Sequence, residues 1–328
     1  YIFNENFLTH HLLYEFMRIL ITGGSGFIGS HLSDELIKYD HEITLIVRNF
    51  NKEKNVSKNS SKISIVQIDV TDTNSLEEFI KEKKPDVIFH VAGTTSHKQS
   101  FENPIYDVDV NIKSTMCILE SIRQHVPNCK FIFGSTFIVV GNPEKLPVDE
   151  QSICNPTTIY GSNRLSSEHL CKIYHNVYGL DTISFRITNS FGPREQYETP
   201  TKNALNYLIY QAFLNKPVTI YDDGRFFRDV IYVDDVIFAL IAILKNGKSG
   251  NLYWISSGKK TWFYEIGDCL SEITNAKILY VESPLYTKKV DVGNFVVDNS
   301  KLRSLGWKPT ITLKDGIKKT LEFFETIK

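Results

Sequence analysis

Apolar residues in the first half of the chain fall into short runs, and longer segments with apolar positions at helical spacing separate them. Short apolar runs bounded by polar residues predict buried strands, whereas apolar positions three and four residues apart predict helices. Strands are expected at 18–21, 42–47, 63–68, 86–91, 130–133 and 182–186, and helices from a glycine turn near 23 to about 39, at 104–125 and at 157–178. A further helix is expected where Ser75 and Glu78 stand at capping-box spacing, and Pro85 ends that segment.

Repeated alternation of strand and helix predicts an α/β protein with a Rossmann-type, doubly wound parallel sheet and helices on both faces. After Arg186 the loops lengthen and the elements shorten, up to a last helix expected at 313–327. We therefore expect a dinucleotide-binding domain over 17–186, with later returns around 229–257, and a smaller, mainly substrate-binding C-terminal lobe over 187–328. Ligands of such sheets bind at the carboxyl ends of the strands, so the cleft between the two parts is the expected site.

Composition excludes several other classes of protein. The chain has 328 residues, of which 42% are hydrophobic and 23% charged, and its formal net charge is −1. These values are typical of a soluble globular protein and give no nucleic-acid footprint, and no apolar run is long enough for a membrane span. The five cysteines have no metal-ligand spacing, so we expect reduced thiols, a cytoplasmic protein and no metal site. Residues 1–16 form an N-terminal extension, to which we assign no role.

The stretch Thr-Gly-Gly-Ser-Gly-Phe-Ile-Gly at 22–29 lies between the first strand and the first helix. Gly23 permits a tight turn, Gly26 lets the backbone approach a pyrophosphate, and Gly29 lets the helix pack close to the sheet. The N–H groups at the start of the helix then face the phosphates. The stretch predicts a dinucleotide site, although its spacing is G-x-x-G-x-x-G rather than G-x-G-x-x-G.

Two residues at strand ends bear on the choice of dinucleotide. Arg48 follows the second strand, where an NAD site usually has an acidic residue for the ribose 2′-hydroxyl. An arginine there favours NADP over NAD because it can hold the 2′-phosphate; a solvated surface arginine is the alternative. Asp69 ends the third strand, where its carboxylate either accepts from the adenine amine or caps the following helix.

A candidate proton-transfer set follows the fifth predicted strand. Thr136 comes at the end of that strand, and Tyr160 and Arg164 lie four residues apart on one helix face. A cation and the positive nicotinamide ring would lower the pKa of the phenol, which then exchanges a proton while hydride moves to or from carbon.

The chain resembles the extended short-chain dehydrogenase/reductase family, which contains nucleotide-sugar epimerases and dehydratases. The resemblance covers nearly all of the chain from Met17, with the motifs in the family's order. The matching stretches are TGGSGFIGS (22–30), IDVTD (68–72), DVIFHVAG (86–93), NIKST (111–115), FGSTFIVVG (133–141), PTTIYGSNR (156–164), RITNSFGPRE (186–195), DDGRFFRDVIYVDDV (222–236) and LGWKPTITLKDGI (305–317).

The resemblance implies roles for individual residues. Thr136 matches the family's catalytic Ser/Thr and Tyr160 its proton-transfer tyrosine, with Arg164 beside them. Asn189 and Arg228 match positions that contact the substrate, a nucleotide-diphosphate sugar that Thr136 also contacts, and Asp234 matches a structural position. The residues expected to contact the cofactor are Gly23, Ser25, Gly26, Phe27, Ile28, Gly29, Arg48, Asp69, Val70, Val91, Ala92, Gly93, Tyr160 and Arg164. The family also implies a homodimer, formed through helices around 105–125 and 157–178.

Three departures from the family pattern affect the expected chemistry. The family's Y-x-x-x-K is here Y-x-x-x-R, because Arg164 replaces the lysine. Phe137 and Ile138 stand where the family's 4,6-dehydratases have an Asp-Glu pair, which argues against dehydration. Val140 replaces the tyrosine that commonly precedes Gly141, and the usual C-terminal arginine is replaced around 288–293, so substrate preference stays open.

Three functions remain open at this point. The leading hypothesis is an NAD(P)-dependent nucleotide-sugar epimerase that acts at C4 through a 4-keto intermediate. An NADPH-dependent 4-keto nucleotide-sugar reductase is the alternative that Arg48 favours. A catalytically dormant dinucleotide- and nucleotide-sugar-binding protein is the alternative that Arg164 favours.

Overall fold

The computed structural model of the chain describes residues 15–50, 55–56, 61–95, 97–199, 203–284 and 291–328. Residues 1–14 of the N-terminal extension, part of the polar segment after the second strand, and residues 288–290 of the third departure lie outside the described residues.

Seven parallel strands form the central sheet, in the order β11-β6-β5-β4-β1-β2-β3. These strands are β1 (Arg18–Thr22), β2 (Glu42–Val47), β3 (Ile63–Gln67), β4 (Val87–His90), β5 (Lys130–Thr136), β6 (Thr182–Ile187) and β11 (Leu252–Ile255). The strands between the edges are rich in buried aliphatic and aromatic residues because helices cover both faces of a parallel sheet. The predicted Rossmann-type fold is confirmed.

Helices in chain order are α1 (Phe27–Leu36), α2 (Thr73–Lys83), α3 (His97–Glu102), α4 (Pro104–Val108), α5 (Ser114–His125), α6 (Ile159–Tyr178), α7 (Ala204–Phe213), α8 (Val233–Asn246), α9 (Phe263–Thr274), α10 (Ser300–Arg303) and α11 (Leu313–Thr326). Within the described ranges, none of these helices is long and apolar enough to cross a membrane.

Alternate residues of the strands build two separate cores. Ile19 and Ile21 of β1 pack with Leu32 of α1 on one face, together with residues of α8. Leu20, between them, packs on the other face with Leu119 of α5, together with residues of α2 and α6. Because successive side chains of a strand point to opposite faces, this division places α1 and α8 on one side of the sheet and α2, α5 and α6 on the other.

The remaining strands form three two-stranded sheets outside the main one. Strand β7 (Asn189–Phe191) pairs with β10 (Val230–Tyr232), and β13 (Ile278–Val281) pairs with β8 (Val218–Tyr221), both in parallel. The short β9 (Phe227–Arg228) and β12 (Thr261–Trp262) are antiparallel.

All six predicted strands are present, and one strand and two helices differ from the prediction in their extent. Strand β5 continues to Thr136 instead of ending at 133. The helix expected over 104–125 is divided into α4 and α5 by a π-helical turn, Asp109–Lys113. The first helix ends at Leu36, before the expected position near 39.

The predicted capping box at Ser75 and Glu78 is wrong. Asp72 is the N-cap of α2, and its Oδ1 accepts a hydrogen bond of 3.2 Å from the Ser75 backbone N–H. Because a carboxylate three residues earlier already satisfies this N–H group, the helix begins one turn sooner, at Thr73.

Candidate active site

A cavity of about 1310 Å³ opens at the carboxyl ends of the central strands. Its walls come from the segments that directly follow β1, β2, β3, β4, β5 and β6. The lining residues from these parts of the chain include Gly23, Ser25–Gly29, Val47–Asn49, Ile68–Val70, Val91–Thr95, Gly134–Ile138 and Ile187–Ser190. The parallel direction of the strands thus brings distant parts of the sequence to one edge of the sheet.

The glycine turn forms one end of the cavity. Gly23 has a φ of +71°, and a Cβ atom there would lie 2.9 Å from the Ala92 Cα atom, so this position requires glycine on two grounds. A Cβ on Gly29 would overlap the Gly23 carbonyl oxygen. The turn therefore holds α1 close against the end of β1.

The N-terminus of α1 has room for a phosphate group. Among the described residues no side chain caps Gly26, the residue that precedes the helix. The first N–H groups of α1 therefore face the cavity, where Phe27, Ile28 and Gly29 line the wall. This uncapped helix end beside a close-packed glycine turn fits the pyrophosphate of a dinucleotide.

Arg48 and Asp69 lie on the cavity wall at the ends of β2 and β3. Arg48 is exposed, and its Nη1 donates a hydrogen bond of 2.7 Å to the hydroxyl of Tyr106. Asp69 Oδ1 accepts from the backbone N–H and the hydroxyl of Thr71, at 3.0 and 2.9 Å. Asp69 thus stabilises its own turn, and the cap of the following helix is Asp72 instead.

Thr136 and Tyr160 meet on the wall of the cavity. Thr136 ends β5, and its Oγ1 accepts a hydrogen bond of 3.3 Å from the Ile138 backbone N–H. Tyr160 lies in the first turn of α6, which begins there because the hydroxyl of Thr158 caps the helix through the Gly161 N–H at 3.0 Å. The side chains of Tyr160 and Thr136 are hydrogen-bonded to each other.

Burial raises the pKa of the Tyr160 phenol, whose residue is 7% exposed. The charge of Arg164 and the hydrogen bond to Thr136 lower this pKa, but burial has the larger effect. Arg164 thus acts on this pKa in the expected direction, and burial, which the sequence does not measure, acts against it.

Arg164 lies four residues after Tyr160, and its guanidinium is held from three sides. Nη1 donates to the Ala92 carbonyl and to Asn111 Oδ1, both at 3.2 Å, and Nη2 donates to the Gly134 carbonyl. The guanidinium carbon also lies 4.6 Å from the centre of the Phe133 ring. Arg164 is therefore a fixed, buried cation behind the phenol.

A buried carboxylate that the sequence analysis missed supports this cation. Asp107, which is 1% exposed, accepts hydrogen bonds from Thr94, from Asn111 Nδ2 at 2.9 Å and from Asn163 Nδ2 at 2.7 Å. Asn111, oriented by these contacts, accepts from Arg164. The only signal in the sequence is that Asp107 precedes Asn111 by four residues within one helical run, which makes the two side chains neighbours. This spacing gives no information about Thr94, Asn163 or Arg164.

The two predicted substrate residues differ in position. Asn189 lines the cavity, and its buried Oδ1 has no hydrogen-bond partner within the described residues. Arg228 is not among the described residues that line the cavity. Its guanidinium forms an ion pair with Asp291, donates to the Phe227 carbonyl at 3.0 Å and lies 5.2 Å from the centre of the Phe226 ring. The role of Arg228 in substrate binding stays a prediction.

The wall beside Thr136 is apolar. Phe137 and Ile138 begin the 3₁₀ turn Phe137–Val140, and both line the cavity. Phe137 packs edge-on against Phe295, with ring centres 5.2 Å apart. The wall position after Thr136, where the family's dehydratases have two carboxylates, is thus filled by hydrocarbon. Asp234, predicted to be structural, lies in the first turn of α8, where Lys319 Nζ donates to it at 3.0 Å.

A parallel sheet with a glycine turn at the start of α1, and a Thr–Tyr–Arg set at the same sheet edge, define a dinucleotide-dependent enzyme of the extended short-chain dehydrogenase/reductase class. The chain belongs to the NAD dependent epimerase/dehydratase family, whose family model matches residues 19–256. The resemblance inferred from the sequence motifs is confirmed.

Curated relatives include both epimerases and dehydratases. A putative UDP-glucose 4-epimerase of Methanocaldococcus jannaschii is 33% identical over 310 residues, which cover 94% of this chain and 98% of that protein. The dTDP-glucose 4,6-dehydratase of Salmonella typhimurium is 30% identical over 338 residues, which cover 94% of this chain and 92% of that protein. The relatives are thus nucleotide-sugar-modifying enzymes of two kinds.

Solved structures agree with this assignment. The Thermotoga maritima UDP-glucose 4-epimerase with UDP-glucose superimposes with a TM-score of 0.87 at 28% identity, covering 95% of this chain and 99% of the other. The Thermus thermophilus UDP-glucose 4-epimerase in complex with NAD gives a TM-score of 0.84 at 27% identity, covering 94% and 99%. The first of these two structures thus holds a nucleotide sugar and the second holds NAD.

Proposed function

We propose that the chain is a nucleotide-sugar 4-epimerase with a tightly retained NAD(P). The observation that carries the proposal is the buried contact between Thr136 and Tyr160, with Arg164 behind them, at the end of the cavity that begins at the glycine turn. The epimerases among the relatives and solved structures support it.

Tyr160, as the phenolate, takes the proton of the sugar 4-hydroxyl and returns a proton after the sugar has turned over. Thr136 hydrogen-bonds the reacting oxygen, and the positive charge of Arg164 favours the phenolate. A bound dinucleotide supplies the hydride acceptor and donor for the sugar carbon. Asn189, whose buried Oδ1 has no hydrogen-bond partner among the residues that the structure describes, offers an acceptor to a hydroxyl of the sugar.

The apolar wall argues against a 4,6-dehydratase. Removing water from the sugar requires an acid and a base beside the reacting carbons. Phe137 and Ile138 offer neither, although dehydratases are among the relatives. Incubation with dTDP-glucose is therefore expected to give no 4-keto-6-deoxy product.

A reductase is the second candidate, and Arg48 is the observation that favours it. Arg48 lies on the cavity wall as an exposed cation suited to a 2′-phosphate, and NADP preference implies an exchangeable reductant. We infer from the same position that NADP binds at least as tightly as NAD.

One experiment separates these functions. The purified protein is denatured and the released dinucleotide is identified by mass. Native protein is then incubated with UDP-glucose and other nucleotide sugars, and separately with a 4-keto nucleotide sugar and added NADPH, while absorbance at the reduced nicotinamide band is followed. An epimerase gives the C4 epimer without net change in absorbance, and Tyr160→Phe abolishes the product. Stoichiometric consumption of NADPH would instead establish the reductase.

A dormant binding protein predicts neither outcome. Such a protein binds dinucleotide and nucleotide sugar without product, and Arg164→Lys would then create or greatly increase turnover. Ready turnover by the unsubstituted protein, with no gain in the lysine variant, excludes this alternative.

We also propose that the protein is a homodimer. Exposed apolar side chains on α4, α5 and α6 support this, since Ile105, Met116, Ile173 and Val177 are each at least two-fifths exposed. Such a group of exposed apolar residues on neighbouring helices is typical of an interface between copies.

A further inference from the structure

Gly93 directly faces the guanidinium of Arg164. A Cβ atom built on Gly93 would lie 2.9 Å from Arg164 Nη1, 3.1 Å from Asn111 Oδ1 and 3.5 Å from Arg164 Cζ. The three nearest atoms therefore all belong to the arginine or to one of its hydrogen-bond acceptors. The space that a side chain would take at position 93 is the space that the guanidinium fills.

The backbone at position 93 does not itself require glycine. Gly93 is not among the glycines with positive φ, in contrast to Gly23 and Gly141. An alanine at 93 would therefore be free of backbone strain and would restrict the unfolded chain more than glycine does. The requirement for glycine is steric, and its source is the arginine.

The guanidinium has little freedom to move aside. Its Nη1 is bound to Ala92 and Asn111, its Nη2 to Gly134, and its face lies on the ring of Phe133. A methyl group at 93 would push Nη1 away from its two acceptors and leave buried polar atoms without partners. A contact of 2.9 Å is relieved easily when the neighbouring atom is the free end of a side chain. Here that atom is Nη1 of Arg164, and its hydrogen bonds hold it in place.

We propose that Gly93 is a positioning residue matched to Arg164: it provides the space that lets arginine, in place of the family's lysine, keep its charge behind Tyr160. The inference rests on the proposed function only for its activity readout. A lysine at position 164 has a compact ammonium instead of the planar guanidinium, so it would not need the space at position 93. In a protein with lysine at 164, glycine at 93 should therefore no longer be required for packing.

The test is a double-mutant cycle of Gly93→Ala and Arg164→Lys. With arginine present, Gly93→Ala should lower the melting temperature by about 2 °C or more, weaken binding of NAD or NADP, and lower kcat by roughly 10- to 10²-fold. The acid limb of the kcat/KM profile should move to higher pH, because a displaced cation lowers the pKa of Tyr160 less. With lysine at 164, Gly93→Ala should leave the melting temperature unchanged or raise it, and its effects on dinucleotide affinity, kcat and the acid limb should be clearly smaller than beside arginine.

Gly267→Ala on α9 is the matched control. Its Cβ would meet Ile220 Cδ1 at 2.7 Å and not the guanidinium, so its cost should be the same in both backgrounds. If the lysine protein does not fold, Arg164→Ala provides the second background, in which Gly93→Ala should again leave the melting temperature unlowered. The inference would be overturned if Gly93→Ala lowered the melting temperature equally in every background. It would also be overturned if Gly93→Ala did not lower the melting temperature of the protein with arginine at 164.

Melting temperature and dinucleotide affinity separate this inference from the proposed function. A cycle that behaves as expected in these two quantities, in a protein without epimerase activity, supports the pairing of Gly93 with Arg164 and refutes only the reaction. Full epimerase activity together with an additive cycle supports the proposed reaction and refutes the pairing of Gly93 with Arg164.

Discussion

At the residue scale, the environment of Tyr160 is set by opposing effects on one phenol. Burial raises its pKa, whereas Arg164 and Thr136 lower it. Each group that favours the phenolate can therefore be removed separately and its effect read from the pH dependence of the reaction.

Thr136→Val should move the acid limb of the kcat/KM profile to higher pH. The hydrogen bond from Thr136 lowers the pKa of Tyr160, so its loss raises that pKa, and the active phenolate forms only at higher pH. Sugar interconversion measured between pH 6 and about 10 checks this. Thr136→Ser, which keeps the hydroxyl, serves as the control, and an unshifted limb in the valine variant would show that the two side chains are not coupled.

Arg48→Ala should weaken the binding of NADP more than that of NAD. The guanidinium lies on the cavity wall, and a 2′-phosphate is the part of NADP that NAD lacks. We expect NADP affinity to fall about 10-fold, the loss of one charge-assisted hydrogen bond, with NAD affinity nearly unchanged, as measured by calorimetry. Tyr106→Phe removes the hydroxyl that Arg48 contacts without removing the cation, so it is the control. Equal losses for both dinucleotides in Arg48→Ala would refute the phosphate contact.

Sequence reasoning identified Thr136, Tyr160 and Arg164 because their spacing within and after predicted elements carries information. It did not identify Asp107, and it assigned Gly93 to the dinucleotide and not to Arg164. The contacts of Asp107 come from three separate segments, and a glycine that gives space to a distant side chain has no local pattern. Residues that act by holding another side chain in place can be recognised only from the three-dimensional structure.

At the scale of elements, the π-helical turn Asp109–Lys113 brings one helical run into the site. Asn111 lies in this turn and connects Asp107 of α4 with Arg164 of α6. The strand and helix patterns predicted the run as one helix, because a single π turn lies within a continuous helical backbone and is too short to give a pattern of its own.

Asp107→Asn should destabilise the protein by about 1–3 kcal/mol, since it places a donor where three donors already converge. Urea unfolding measures this loss. Asp109→Asn, on an exposed ion pair with Lys113 in the same run, is the control and should change stability by less than about 1 kcal/mol. A result in which both variants unfold alike would remove Asp107 from its supporting role.

At the scale of the whole molecule, the alternation of strands and helices was sufficient to predict the class of fold. The order of the strands and the three small sheets were not predicted. Strands of two to four residues, such as β9 and β12, carry too few positions for a pattern, and their partners are far away in the sequence.

Ile173→Asp combined with Val177→Asp should convert the proposed dimer into a monomer. The two side chains lie one turn apart on α6 and are 50% and 66% exposed, so burial in an interface would make a charge costly there. Light scattering coupled to size-exclusion chromatography measures the mass. Phe238→Asp on α8, also exposed and apolar, should leave the mass unchanged. An unsubstituted protein that elutes as a monomer would contradict the proposed interface.

Strand β11 pairs with β6, although β7, β8, β9 and β10 of the small sheets lie between the two strands in the chain. During synthesis, β6 therefore remains an open edge, with its backbone N–H and C=O groups unpaired and Phe185 beside them, until residues 252–255 have been made. An open apolar edge is a template for pairing with other chains. Pairing with the four-residue β11 therefore covers the longer edge of β6 as soon as residues 252–255 are in place.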